Sequence, residues 1–110
     1  MTAALYKLEV YVPGSHLEAV KQALFAAGAG QLGSYDSCCW QTEGGGQFRP
    51  LLGAKPHLGA IGQLEQVVEI KLELVCGADN LRQAVAAMLA AHPYEVPAYQ
   101  VLAVVDLNSV

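Results

Sequence analysis

The sequence predicts an α+β sandwich: one antiparallel sheet with two helices on one face, built in the order strand, helix, strand, strand, helix, strand. Three observations predict it. Leu5 to Val12 and Leu64 to Cys76 alternate apolar and polar residues in the period of a half-buried strand. Each is followed by apolar residues at helical spacing, and Gly and Pro mark the segment boundaries. At 110 residues the chain is sized for one domain, 1–110, with no room for a second.

Along the first strand, Tyr6, Leu8, Val10 and Val12 face one way and Lys7, Glu9 and Tyr11 the other; Pro13-Gly14 ends it. Ser15 with Glu18 forms a capping-box signature for a helix that turns Leu17, Val20, Leu24 and Ala27 inward, and Gly28 stops that helix. Ser34 to Thr42, with its aromatic and small residues, reads as a second strand. The Gly- and Pro-rich stretch 43–63 follows as a loop or hairpin. The third strand is the clearest, with Val68, Ile70, Leu72, Leu74 and Cys76 on one face and Glu69, Lys71 and Glu73 on the other. Asp79 is placed to cap a second helix carrying Leu81, Val85, Met88 and Leu89 inward, Pro93 prevents its continuation, and a last strand covers about Ala98 to Val105. Two βαβ-like halves in this order make a ferredoxin-like βαββαβ fold.

Composition narrows the function classes. With 54% hydrophobic and 15% charged residues, the chain is apolar enough to predict surface covered by neighbouring subunits, hence a homo-oligomer. The net charge of -4 opposes the basic footprint that a phosphate backbone requires, so nucleic acid is not expected as a partner. Apolar runs fall far short of the roughly 18 residues that span a bilayer, and the N-terminus lacks a signal peptide's pattern, so a cytoplasmic protein away from membranes is expected. Three cysteines, two of them adjacent, predict reduced thiols rather than a disulfide framework.

Three segments carry candidate chemistry. HPYEVPAY, His92 to Tyr99, supplies an imidazole and a carboxylate, His92 and Glu95, that would bind a metal or exchange a proton; two ligands need help from Cys38, Cys39, His57 or His16. The competing reading is a corner, in which Pro93 ends the helix, Pro97 sets the strand entry, and Tyr94 and Glu95 tie down the turn. Cys38-Cys39-Trp40 offers thiolates for a soft metal, although adjacent strand residues point to opposite faces and buried small hydrophobes fit as well. From Gly44 to Leu64 there is no acidic residue, and the amides of Gly44, Gly45 and Gly46 beside Arg49 and Lys55 would cradle a small anion. The alternative is a hairpin that packs on a neighbouring subunit. No P-loop, nucleophile elbow or RNA-binding strand motif is present.

GAGQLGSYDSCCWQTEGGGQFRPLLGAKPHLGAIGQLEQVVEIKLEL followed by HPYEVPAY resembles the PII-like insert domain of the YqfO branch of the Nif-three-like (NGG-one interacting factor three) family, here as a chain of its own. HPYEVPAY is also similar to the corresponding stretch of CutA, a trimeric protein linked to divalent-cation tolerance. The resemblance covers almost the whole chain. It implies a PII/CutA-type fold and trimeric association, with Gly44 to Gly62 where PII proteins carry a ligand-responsive loop. It implies no enzyme, because the family's two-metal site belongs to domains flanking the insert. Two positions depart from the family pattern: Val96 stands where a second glutamate is usual, and Lys55 where Asn is usual.

The leading expectation is a non-enzymatic PII/CutA-like module, a homotrimer, regulatory or binding a small anion or divalent metal ion. Gly44, Gly45, Gly46, Arg49 and Lys55 would form its loop site, and Tyr94, Glu95, Trp40 and Phe48 its subunit contacts. A metal-handling protein using Cys38, Cys39, His57, His92 and Glu95 is the first alternative. The second is a small ferredoxin-like enzyme with a sheet-face pocket and His92 or Tyr99 as its acid-base group.

Overall fold

A computed structural model describes residues 4–110. Four strands, β1 (Leu5–Pro13), β2 (Trp40–Phe48), β3 (Glu65–Gly77) and β4 (Tyr99–Ala103), and two helices, α1 (Leu17–Ala26) and α2 (Ala78–Ala91), follow the expected order. The sheet runs β2-β3-β1-β4 with every neighbouring pair antiparallel, as in a ferredoxin-like sandwich. Among the described residues, no helix is long and apolar enough to cross a membrane.

The alternation in β1 and β3 acts through their register. Leu8 lies opposite Leu74 and Val10 opposite Leu72, so all four apolar side chains stand on one face. Leu17, Val20 and Leu24 of α1 and Ala84 and Met88 of α2 close over them to make the core. On the other face the same register sets Glu9 opposite Glu73, a like-charge pair that costs stability unless neutralised. Lys7 reaches Glu73 at 2.7 Å and Lys71 reaches Glu9 at 2.9 Å and Glu73 at 3.7 Å. The hydrogen bond from Lys7 holds Glu73 below its usual carboxylate range, and the bond to Glu9 holds Lys71 above its own.

Several element boundaries depart from the sequence reading. The second strand begins at Trp40 rather than Ser34 and runs to Phe48, so Gly44 to Gly46 lie within the ladder of a hairpin, the second of the two forms expected for this stretch. Pairing with the long, β-branched β3 overrides the poor strand propensity of glycine. Ser34 to Cys39 instead form an irregular linker tied down by Gly30 N–H to Val75 O at 2.7 Å and Cys38 N–H to Gly30 O at 2.8 Å. The capping box does not form: Gly14–His16 make a 3-10 turn and Ser15 Oγ bonds His16 Nδ1 at 2.8 Å. Asp79 is in the first turn of α2, two positions past Gly77, which holds the capping place. Leu89 is exposed and Ala84 takes the buried place on that helix. Gly28 ends α1 as expected, at φ +98° and pressed so close to Asn80 that a Cβ would collide with its amide.

Beyond Glu69, β3 has left β1 behind; Glu65 to Val68 pair with β2 alone. The β2–β3 hairpin therefore overhangs the core by about 13 Å at strand rise, and the molecule is elongated, 50 × 27 × 23 Å. Leu72→Ala, emptying a fully buried position opposite Val10, is expected to lower the unfolding free energy by about 2–5 kcal/mol in urea titrations. Gln83→Ala, on the exposed side of α2, is expected to change it by less than about 0.5 kcal/mol.

Candidate functional site

The HPYE corner is built on one strand residue. In an antiparallel strand a residue's N–H and C=O point to the same side, and on the β4 side Tyr11 N–H donates to Ala98 O at 3.1 Å. β4 starts only at Tyr99, which would leave Tyr11 C=O without a ladder donor. His92 supplies it. Pro93 ends α2, His92 N–H still closes onto Met88 O at 3.0 Å, and the ring turns inward with Nε2 2.7 Å from Tyr11 O. Nδ1 accepts Tyr94 N–H at 3.2 Å. One nitrogen donates and the other accepts, so this geometry specifies a neutral imidazole with its proton on Nε2. Both ring nitrogens are used within the chain. Burial pushes the pKa of His92 below its ordinary 6.5, outweighing the opposite pull of the Tyr11 bond and Glu69.

Onto this corner folds the tip of the hairpin. Gly62 N–H closes on Pro50 O at 2.7 Å, and Lys55 N–H donates to Glu95 Oε2 at 2.9 Å, latching the tip to HPYE. Between them lies a cleft of about 250 Å³. Its walls are rings: Phe48 stands 6.3 Å and His57 6.2 Å from Tyr94, centroid to centroid. Glu69, Glu95, Pro50, Pro56 and Val96 are among the other residues that line it. The Tyr94 hydroxyl is buried without a hydrogen bond of good geometry. Burial, with the Glu69 carboxylate nearby, pushes its pKa up to about 12, so the phenol stays neutral.

The structure therefore gathers His57, Tyr94, Glu95 and Phe48, and adds the backbone of Lys55. Two grooves flank Gly44, Gly45 and Gly46, and neither is lined by Arg49 or Lys55; Glu43, Glu69, Lys71 and Glu73 stand there instead. Cys38 and Cys39 remain in the linker, Cys38 Sγ contacting Asp36 O and Cys39 packing on the core. Among the described residues, no three or more of His, Cys, Asp or Glu are grouped to hold one metal ion. Trp40 is exposed, its Nε1–H donating to Thr42 Oγ1 at 3.0 Å, and Tyr99 opens β4 at the surface. Sequence reading missed Glu69 and placed it only on the polar face of a strand. The glycine run opposite a carboxylate was the available signal, but the register joining them was not.

The sheet order, the two helices and the overhanging hairpin define an antiparallel ferredoxin-like domain of the CutA type. The CutA structure from Xylella fastidiosa superposes with a TM-score of 0.68 over 96% of this chain and 88% of its own, at 21% identity. No family model matches the chain. The GTP cyclohydrolase 1 type 2 homolog of Mycobacterium leprae is 47% identical over 103 residues, 94% of this chain and 27% of that protein. The Bacillus cereus protein related to NIF3 superposes with a TM-score of 0.83 at 39% identity, over 96% of this chain and 27% of its own. This chain is a homologue of one segment of the NIF3-related proteins, spanning about a quarter of the length of the relatives it matches.

The depressed His92 pKa has a definite sign. The unfolded chain takes up the proton first, so stability is full above 6.5 and falls as pH drops from there toward the folded value. Urea midpoints are expected to decrease between about pH 7.5 and about pH 5.5, and His92→Gln is expected to flatten that slope.

Proposed function

We propose that the chain is a self-associating module without catalytic chemistry of its own, a cytoplasmic homotrimer that binds a small ligand in the cleft between hairpin tip and HPYE corner. The observation that carries the self-association is the exposed apolar surface. Leu52 is 96% exposed, Val96 81% and Leu107 81%, and they are joined by Leu51, Leu64 and Val68 on the hairpin and by Val101, Leu102 and Val105 near β4. Patches of this extent on a domain of this size mark interfaces. Among the described residues, both outer strands, β2 and β4, also present an unpaired edge. The CutA-type architecture supports the trimer as the closed form that such edges make. The notion of a ligand rests on the latched cleft, whose walls come from three separate segments of the chain. Whatever reaction the longer relatives perform is assigned in this proposal to the remaining three quarters of their length.

Light scattering and native mass spectrometry at micromolar concentration are expected to report three chains per particle. Trp40, the single tryptophan, is 69% exposed in one chain, so its emission is expected to shift to the red when the assembly is diluted apart. A monomer with concentration-independent emission contradicts the proposal.

A further inference from the structure

The polar face of β3 carries Glu69, Lys71 and Glu73, and the neighbouring β1 carries Lys7 and Glu9. Lys7 and Lys71 are both engaged by Glu9 and Glu73. Among the described residues Glu69 has no salt bridge, although it is half-buried and lines the aromatic cleft. Its polar neighbour in the cleft is the neutral Tyr94 hydroxyl, so this half-buried carboxylate has no cationic partner, an arrangement that an incoming cation improves. The chain makes room for it deliberately: on β2, one diagonal step across the register, Gly46 is so close to the Glu69 carboxylate that any Cβ there would displace it.

We propose that the cleft takes a small organic cation with a flat apolar body, an aryl amidinium being the simplest match. The lining holds two carboxylates, Glu69 and Glu95, one imidazole, His57, and no Lys or Arg side chain. Anions therefore meet repulsion and no fixed positive charge. A planar amidinium pairs with Glu69 through two parallel N–H to O bonds, and its ring lies between the faces of Phe48, His57 and Tyr94, which also favour positive charge. The size sets a limit: about 250 Å³ is below the roughly 300–1,000 Å³ of sites for drug-sized molecules, so a single ring fits. Glu95 keeps its bond to Lys55 N–H and holds the tip closed over the ligand.

This inference rests on the cleft being the ligand site of the proposed function, and one titration separates the two. The isotopically labelled full chain is titrated by NMR with benzamidine and, separately, with benzoate, at about pH 8, where benzamidine is a cation and benzoate an anion. Benzamidine is expected to shift the amides of Phe48, Lys55, His57 and Tyr94 saturably, and benzoate to leave them in place. Glu69→Gln, which preserves size, is expected to weaken benzamidine at least roughly tenfold. Gly46→Ala, which displaces the carboxylate by crowding it, is expected to weaken binding in the same direction. Benzoate binding as tightly as benzamidine overturns the charge assignment and leaves the cleft as a site. Silence from both probes overturns the cleft reading as well. Undiminished benzamidine affinity in both variants overturns the role of Glu69.

Discussion

The antiparallel pairing of β1 with β3 sets Leu8 against Leu74 and Val10 against Leu72, and the core, the charged face and the overhang of the hairpin depend on that register. A slip of one residue would send the whole apolar set to the opposite face and the charged set into the core. The same pairing places Glu9 against Glu73, which makes the crossed lysines Lys7 and Lys71 necessary rather than decorative. It also decides how far β3 overruns β1, and so the length of the overhang that β2 follows. With both lysines committed, Glu69 is left, among the described residues, without a salt bridge at the point where the overhang begins.

The second constraint is the early end of the β1–β4 ladder. Tyr11 has its N–H satisfied by Ala98 and its C=O satisfied by a side chain, His92, from the end of α2. An imidazole in that place joins helix, strand and corner through two hydrogen bonds and tolerates no second proton. The HPYE segment is thus a corner by its bonding. It nevertheless forms one wall of a cleft, because the hairpin tip folds back to it and Glu95 catches Lys55 N–H. The corner and the wall of the cleft are the same residues seen from their buried and open sides.

Much of the fold was legible because burial is written into periodicity. The buried residues of β1, β3 and α1 follow the alternation and helical spacing, except that Val68, on the expected apolar face of β3, lies on the overhang beyond β1 and is exposed; the element order yielded the ferredoxin-like class. Gly28 was read as a stop, and it is one. The errors share one cause. Gly44 to Gly46 have loop propensity, Ser15 and Asp79 have capping propensity, and Leu89 has core propensity, yet each outcome was set by a neighbour distant in sequence or by a competing local bond. Local preferences of about 1 kcal/mol or less yield to such contacts.

The site was less legible than the fold for the same reason. Sequence alone identified HPYEVPAY and the Gly-rich stretch as the segments worth attention, and it determined the strand faces, the helices, the negative charge and the homology-bearing motifs, since these depend on residue type and near spacing. Tertiary structure alone decided that Gly46 faces Glu69, that Lys55 acts through its backbone rather than its charge, that His92 spends both nitrogens internally, and that Phe48, His57 and Tyr94 share a wall. Apart from the bond between His92 and Tyr94, these meetings join residues distant in sequence, and they are set by strand register and loop closure, quantities that no single stretch of sequence contains.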